Sequence, residues 1–246
     1  MLPGSWKPVA AAGLIRLGPK GDGGYVVGER SVRASTLLLS MGLNDDWRFE
    51  AAFRRMSGAR VVCFDHSVTW RFWVIHALKD LARLRLFRLF HYFAYRWFFR
   101  GEGAEHRRLK IGYDGPGGTG LAALLDEAEG DGDAIFLKVD IEGSEYRILP
   151  DIVANAHRFT GIVMELHDID LHHDRVATFL AGLRGFTIVC LHPNNYAGVD
   201  DAGDPLVIEI SLIRDDLVDP PAGAATLPAP QPNDPRQPEI ELHFAA

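Results

Sequence analysis

The chain has 246 residues, 47% apolar and 24% charged, the balance of one folded globular domain rather than of a disordered chain. A net charge of −7 excludes a general nucleic-acid binder, which needs a basic surface against phosphates. Cys63 and Cys190 each lie inside an apolar run, which excludes a disulfide framework and a cysteine metal site. The opening MLPGSWKPVAAAGLIRLG holds no apolar stretch of signal-peptide length, so a reducing, cytoplasmic location is expected.

Residues 1–35 form a first region, in which the glycines of RLGPKGDGGYVV (Arg16–Val27) suggest a tight hairpin covering a site, with Asp22 or Tyr25 at its tip. From 36 to 218 short apolar, β-branched runs alternate with helical patterns, the mark of a parallel sheet with crossover helices. The predicted elements are a strand at Thr36–Ser40, a helix at Asp46–Met56, a strand at Arg60–Asp65 and a short strand at Leu109–Gly112. The glycine-rich loop GPGGTG follows, then a helix at Leu121–Ala128. Ala134–Asp140 (AIFLKVD) is an apolar run closed by an acid, as in a central strand buried on both faces. A helix starts near Ser144 and is bent or interrupted by Pro150. Strands at Gly161–His167, Thr187–His192 and Leu206–Ile213 complete seven, with a helix at Arg175–Leu183. The last two strands have no helix between them, so the final one is expected to be antiparallel. From 219 to 246 the proline-rich tail is expected to run extended over the surface.

The segment 66–105 stands apart. From His66 to Arg100 it carries seven basic residues and one acid, a charge of +6 against −13 for the remainder, and 11 of the 25 aromatic residues. TWRFWVIHALKDLARLRLFRLFHYFAYRWFFR has no Gly or Pro and reads as helix throughout. Its charge-free stretches reach seven residues, far short of a membrane span of about 20. It is expected to form helices that gather Trp73, Phe87, Phe90 and Trp97 on one side. The first expectation is burial of those rings against the core or against a second subunit in a homodimer. The sharper alternative is a peripheral membrane contact through 70–100, with Trp and Phe in the headgroup region and Arg83, Arg88 and Arg96 on lipid phosphates.

In an open parallel sheet ligands bind at the carboxyl ends of the strands. In SMGLNDDWRFE (Ser40–Glu50), Gly42 lets the backbone approach a ligand, and a plain strand–helix turn capped by Asp45 or Asp46 is the alternative. Asp65, closing VVCFD, can accept both hydroxyls of a ribose. KVDIEGSE (Lys138–Glu145) crowds Asp140, Glu142 and Glu145 into one strand-to-helix turn hinged by Gly143. MELHD and LHPNNY each place a histidine, His167 and His192, just past an apolar strand. Histidine is the natural general base near neutral pH, and an asparagine such as Asn195 can orient sugar-like hydroxyls.

FLKVDIEGSEYRIL resembles the signature of FkbM-type methyltransferases, IVMELH resembles that family's next strand, and GLAALLDEA sits where the family has a helix before the signature. The resemblance runs from about Leu37 to Ile213. It implies a class I S-adenosylmethionine (SAM) methyltransferase fold, Rossmann-like, with a seven-stranded mostly parallel sheet and SAM across the ends of its first, second and fourth strands. Carried over by position, Ser40, Met41 and Gly42 lie under the methionine part, Asp65 and His66 at the ribose, and Asp140 near the methyl group. SMGLNDDWRFE departs from the family's glycine-richer first motif.

Methyl transfer from a sulfonium needs donor and acceptor in line and, for a hydroxyl acceptor, removal of a proton. Glu142 or His167 is the expected base, and His192 and Asn195 the expected acceptor-binding pair. The assignment includes no metal ligand, although Asp140, Glu142, Glu165 and His167 are a set that suits several divalent ions. The expected activity is SAM-dependent O-methylation of a sugar hydroxyl on a glycan, glycolipid or glycosylated metabolite. Its alternative is a non-catalytic module of the same fold that docks a partner or membrane through the basic helices. A dehydrogenase is disfavoured by the missing GxGxxG.

Overall fold

The computed structural model describes residues 1–85, 90–128, 133–221 and 231–245. The elements are β1 (Leu14–Leu17), β2 (Tyr25–Gly28), α1 (Glu29–Ala34), β3 (Leu37–Met41), α2 (Arg48–Ser57), β4 (Arg60–Phe64), α3 (Trp70–Ala82) and α4 (His91–Phe98). There follow β5 (Ala104–Arg107), β6 (Lys110–Ile111), β7 (Gly118–Thr119), α5 (Leu121–Glu127) and β8 (Ile135–Val139). The chain continues through α6 (Leu149–Ala154), β9 (Phe159–Leu166), α7 (Ile169–Gly182), β10 (Phe186–Pro193) and β11 (Ile208–Arg214). Seven strands form one sheet in the order β10-β11-β9-β8-β3-β4-β5, parallel except for β11, which runs antiparallel to both neighbours. This is the α/β sheet that the resemblance implies, with its final hairpin.

Both faces of the sheet are covered, and the period-two alternation of the strands decides what faces where. Leu37, Leu39, Met41, Val62, Phe64, Ile135, Leu137 and Val139 pack toward α5, α6 and α7, with Leu121, Leu125, Ile152, Val176 and Phe179. Leu38, Val61, Cys63 and Phe136 pack on the other face with Phe49 and Phe53 of α2, Val32 of α1 and Trp73 of α3.

Two expectations about elements are corrected, and a third, at Pro150, takes a definite form. The third strand of the sheet is Ala104–Arg107, which pairs with β4, while Lys110–Ile111 forms a two-stranded pairing with β7. Alternation was hard to read in AEHR because only Ala104 is buried. The helix expected from Ser144 is interrupted: Glu145–Arg147 forms one 3-10 turn, and Pro150 occupies the first turn of α6, where its missing N–H costs nothing. The tail does not simply cross the surface, since Asn233 and Asp234 are buried and Leu2 bridges to Phe244.

The hairpin β1–β2 forms as the glycines suggested. Between β4 and β5 stand α3, capped by the Thr69 hydroxyl, and α4. They meet through Trp73 and Tyr95, with ring centroids 4.8 Å apart. Phe87 and Arg88 lie outside the described residues.

Candidate active site

The loops at the carboxyl ends of β3, β4, β8 and β9 enclose a cavity of about 870 Å³, within the usual range of roughly 300–1,000 Å³ for ligand sites. Gly42, Asp65, His66, Asp140, Glu142, Glu165 and His167 line it, as do Lys20, Asp22 and Gly23 of the β1–β2 hairpin and Asn233 of the tail.

At the floor, Gly42 adopts φ +87°, and an added Cβ would sit 1.6 Å from the Asp140 carbonyl oxygen. Only glycine lets these two strand ends approach so closely. Its carbonyl accepts a hydrogen bond from Lys138 Nζ at 2.9 Å. Lys138, almost wholly buried, also pairs with the fully buried Glu50 at 3.3 Å. The Glu50 carboxylate accepts from Ser40 Oγ at 2.6 Å. This buried group under the loop carries no signal in the sequence beyond a lysine inside an apolar run.

At the end of β4, both carboxylate oxygens of Asp65 are engaged. One accepts from the amides of Leu43 and Asn44 at 3.0 and 2.9 Å, the other from the Ser67 amide and hydroxyl at 2.8 and 2.6 Å. Burial works against its ionisation, but these bonds outweigh it and hold the carboxyl below its usual range. Asp65 therefore shapes the Gly42–Asn44 loop as well as facing the cavity.

Past β8 the backbone turns through Glu142 at φ +54°, in the left-handed region that non-glycine residues seldom occupy. The turn is held by buried Glu145, whose Oε1 accepts from the amides of Ile141 and Gly143 at 2.9 and 3.3 Å. The same oxygen lies 3.0 Å from His167 Nδ1. His167 Nε2 lies 3.5 Å from both Glu142 Oε2 and Glu165 Oε1. Tyr146 donates to the His167 carbonyl and Asn194 Nδ2 donates to Glu165 Oε1, fixing the end of β9.

Crowding of acids shifts these groups in one direction. Burial, with Asp140 and Glu209 nearby, pushes the Glu165 carboxyl up to about 9. Burial pushes Asp140 up to about 6, against the pull of Lys138 and His167. For His167 burial works the other way, but the bond to Glu145 and the charges of Glu145, Glu165 and Asp140 raise it to about 9. At neutral pH His167 is thus held as an imidazolium by the carboxylates around it. A cation entering here replaces protons as the counter-charge. Asp140, Glu165 and His167 offer ligand atoms within 4.8 Å of one another, as do Asp22, Glu165 and Glu209, and these would hold a divalent ion.

Four expected site residues stand elsewhere. Ser40 and Met41 are fully buried, one toward α2 and one toward α5–α7, because alternation leaves Gly42 as the first residue past the covered sheet. His192 is buried with Nδ1 3.1 Å from Glu209 and Nε2 3.5 Å from Glu239. Asn195 clamps the tail, donating to the Asp234 carbonyl at 2.9 Å and accepting from its amide at 2.8 Å. His192 and Asn195, the expected acceptor-binding pair, do not line the cavity; their neighbours Asn194 and Tyr196 do. Asn233 was invisible to sequence reasoning. Its Nδ2 donates to Asp22 at 3.2 Å and Glu209 at 2.7 Å, tying tail, hairpin and sheet together.

A family model described as the methyltransferase FkbM domain matches residues 102–188, the stretch that holds KVDIEGSE and β9. No curated protein matches the sequence significantly. Among solved structures, an rRNA methylase from Streptococcus thermophilus is 14% identical with a TM-score of 0.38, over 76% of this chain and 92% of that one. A precorrin-6y C5,15-methyltransferase from Geobacter metallireducens is 11% identical with a TM-score of 0.39, over 75% and 83%. The fibrillarin pre-rRNA processing protein of Methanococcus jannaschii is 13% identical with a TM-score of 0.38, over 83% and 91%.

Proposed function

We propose that this chain, whose residues 102–188 match the methyltransferase FkbM domain model, transfers the methyl group of SAM to a sugar hydroxyl of a glycan, glycolipid or glycosylated metabolite in the cytoplasm. The observation that carries this reading is the acid-rich cavity over Gly42. Its floor has no room for a side chain, and its wall presents Asp140, Glu142, Glu165 and His167. That donor set fits a cationic sulfonium better than a phosphate-bearing dinucleotide, because carboxylates stabilise the former and repel the latter. The sugar preference rests on the family resemblance alone.

SAM, when bound, supplies an electrophilic methyl group and a positive charge. Gly42 would lie beneath its methionine part, Asp65 and His66 at its ribose and Asp140 at the charged end. An acceptor hydroxyl would enter beside Asn194 and Tyr196. Glu142, whose side chain is 86% exposed, is the carboxylate free to take the hydroxyl proton. His167 holds it in place through Nε2 while Glu145 fixes the ring through Nδ1. His167 itself becomes a base only after losing its proton, and its elevated value delays that until the pH approaches about 9.

The test is release of labelled methyl groups onto a panel of free and lipid-linked sugars, with SAM and NAD titrated calorimetrically in parallel. Glu142→Gln and His167→Ala should each lower turnover by about 10²–10⁴-fold and leave SAM affinity little changed. A rate still climbing toward about pH 9 assigns the proton to His167; no such climb, together with loss of turnover in Glu142→Gln, assigns it to Glu142. Binding of NAD and not SAM would overturn the reading. SAM binding without transfer to any acceptor, with both variants unchanged, would favour the non-catalytic module.

A further inference from the structure

The two helices between β4 and β5 turn their apolar faces the wrong way for a monomer in water. At 100° per residue, Trp70, Val74, Leu78 and Leu81 of α3 fall within about 80° of arc, and all four are exposed. Trp73 and Asp80, about 110° round the helix from the middle of that arc, mark the buried side. On α4, Tyr95 turns inward to Trp73, Trp47 and His106, while Phe93 and Trp97 face solvent at 66% and 81% exposure. Ten of the sixteen large apolar side chains exposed among the described residues lie between Trp70 and Trp97. This concentration is the kind of patch that marks an interaction surface.

Charge says what the surface meets. Arg71, Lys79, Arg83, Arg85, Arg96 and Arg100 are all exposed around these residues. Among the described residues none of the six forms an ion pair with a carboxylate, although the rest of the chain is strongly acidic. A second copy would bring the same positive surface face to face with itself, and although the exposed rings could stack on nucleic-acid bases, Val74, Leu78, Leu81 and Leu84 beside them could not. Rings and aliphatics rimmed by arginine match the interface of an anionic bilayer, where the apolar groups enter the headgroup region and the cations meet phosphates. No described helix is long and apolar enough to cross a membrane, so the contact lies along the surface.

We propose that α3 and α4 form a docking face for anionic phospholipid membranes. The face adjoins the cavity. The ring of His91 on α4 packs on Trp47 at 4.6 Å and bonds the carbonyl of Asp45, a cavity-lining residue. Tyr95 bonds His106, which in turn bonds the carbonyl of Asp65 at 3.0 Å. A chain seated this way brings the rim of its cavity to the lipid surface, where a lipid-linked acceptor would be met. The docking itself rests on exposed groups and stands or falls apart from the methyl-transfer reading.

The experiment sediments the full chain, without SAM, with vesicles of phosphatidylcholine alone or mixed with phosphatidylglycerol, at low and at physiological salt. Sedimentation with the anionic vesicles alone, weakening as salt rises, is expected. The double variant Arg83→Glu/Arg96→Glu should weaken partitioning by about thirty-fold or more. Phe93→Ser/Trp97→Ser should weaken it comparably, and circular dichroism of both variants should match the parent. The proposal is overturned if anionic vesicles fail to bind at low salt, or if both double variants bind as the parent does. It is equally overturned by a dimer that Phe93→Ser/Trp97→Ser converts to monomer, or by an RNA oligonucleotide that binds more tightly than the anionic vesicles.

Discussion

The cavity at the ends of β8 and β9 buries charge, whereas α3 and α4 leave rings in water. Each departs from the ordinary division of polar and apolar groups, in opposite senses. In the cavity, Glu145 and Glu165 are held by amides, by Asn194 and by His167, and the cost of crowding appears as raised proton affinity at Glu165 and His167. On the helices Trp70, Phe93 and Trp97 stay largely exposed, with only Arg71 over the Trp70 ring and Tyr92 beside Phe93, and the cost appears as exposed apolar area. The contrast teaches that both surfaces are built for something outside the chain. The acids call for a cation and the rings for an apolar phase bearing negative charge.

The largest effect on the cavity side should come from Lys138→Met. It leaves Glu50 buried without its partner, which typically costs about 3–5 kcal/mol, and it releases the Gly42 carbonyl. Chemical denaturation measures the loss, and Lys138→Met/Glu50→Leu should recover most of it. If the single variant is as stable as the parent, the ion pair is not what supports the loop.

Asp65→Ala should act next. It removes charge-assisted bonds to the Gly42–Asn44 loop and, on the proposed reading, those to the ribose of SAM, each worth roughly 1.5–3 kcal/mol. Calorimetry should show SAM affinity reduced by about ten-fold or more. Undiminished affinity would take Asp65 out of the cofactor site and leave it a loop-shaping residue only.

The smallest effect should be that of Trp97→Ser on stability, within about 0.5 kcal/mol, as for most exposed positions. Trp73→Ala, on the buried side of the neighbouring helix, should cost about 3–5 kcal/mol. A thermal melt of each separates the two faces. Equal losses would mean that Trp97 is covered in solution and would erase the contrast between the two regions.

Much of this organisation was legible in the residues. VVCFD and AIFLKVD read as strands because fully buried parallel strands are continuous apolar runs, and the acids that end them fell at the open edge of the sheet. KVDIEGSE was legible because several acids beside a glycine have few structural uses. The third strand was not, since a half-exposed edge strand such as AEHR leaves almost no pattern. Nor was the pointing of the rings: a helix made of aromatics and arginines has no single face marked for burial by composition.

The sequence by itself determined six of the seven strands of the sheet, the position of Gly42 and the acids at the strand ends, because alternation, run length and turn chemistry are local properties. Only the tertiary structure decided which strand-end residues share a cavity. Ser40 and Met41 were taken by the two helical layers, His192 and Asn195 by the returning tail, and Asn233 was brought in from more than 190 residues beyond Gly42. It also decided that α3 and α4 face outward. Such outcomes depend on which distant surface reaches a side chain first, and no local pattern in the chain encodes that.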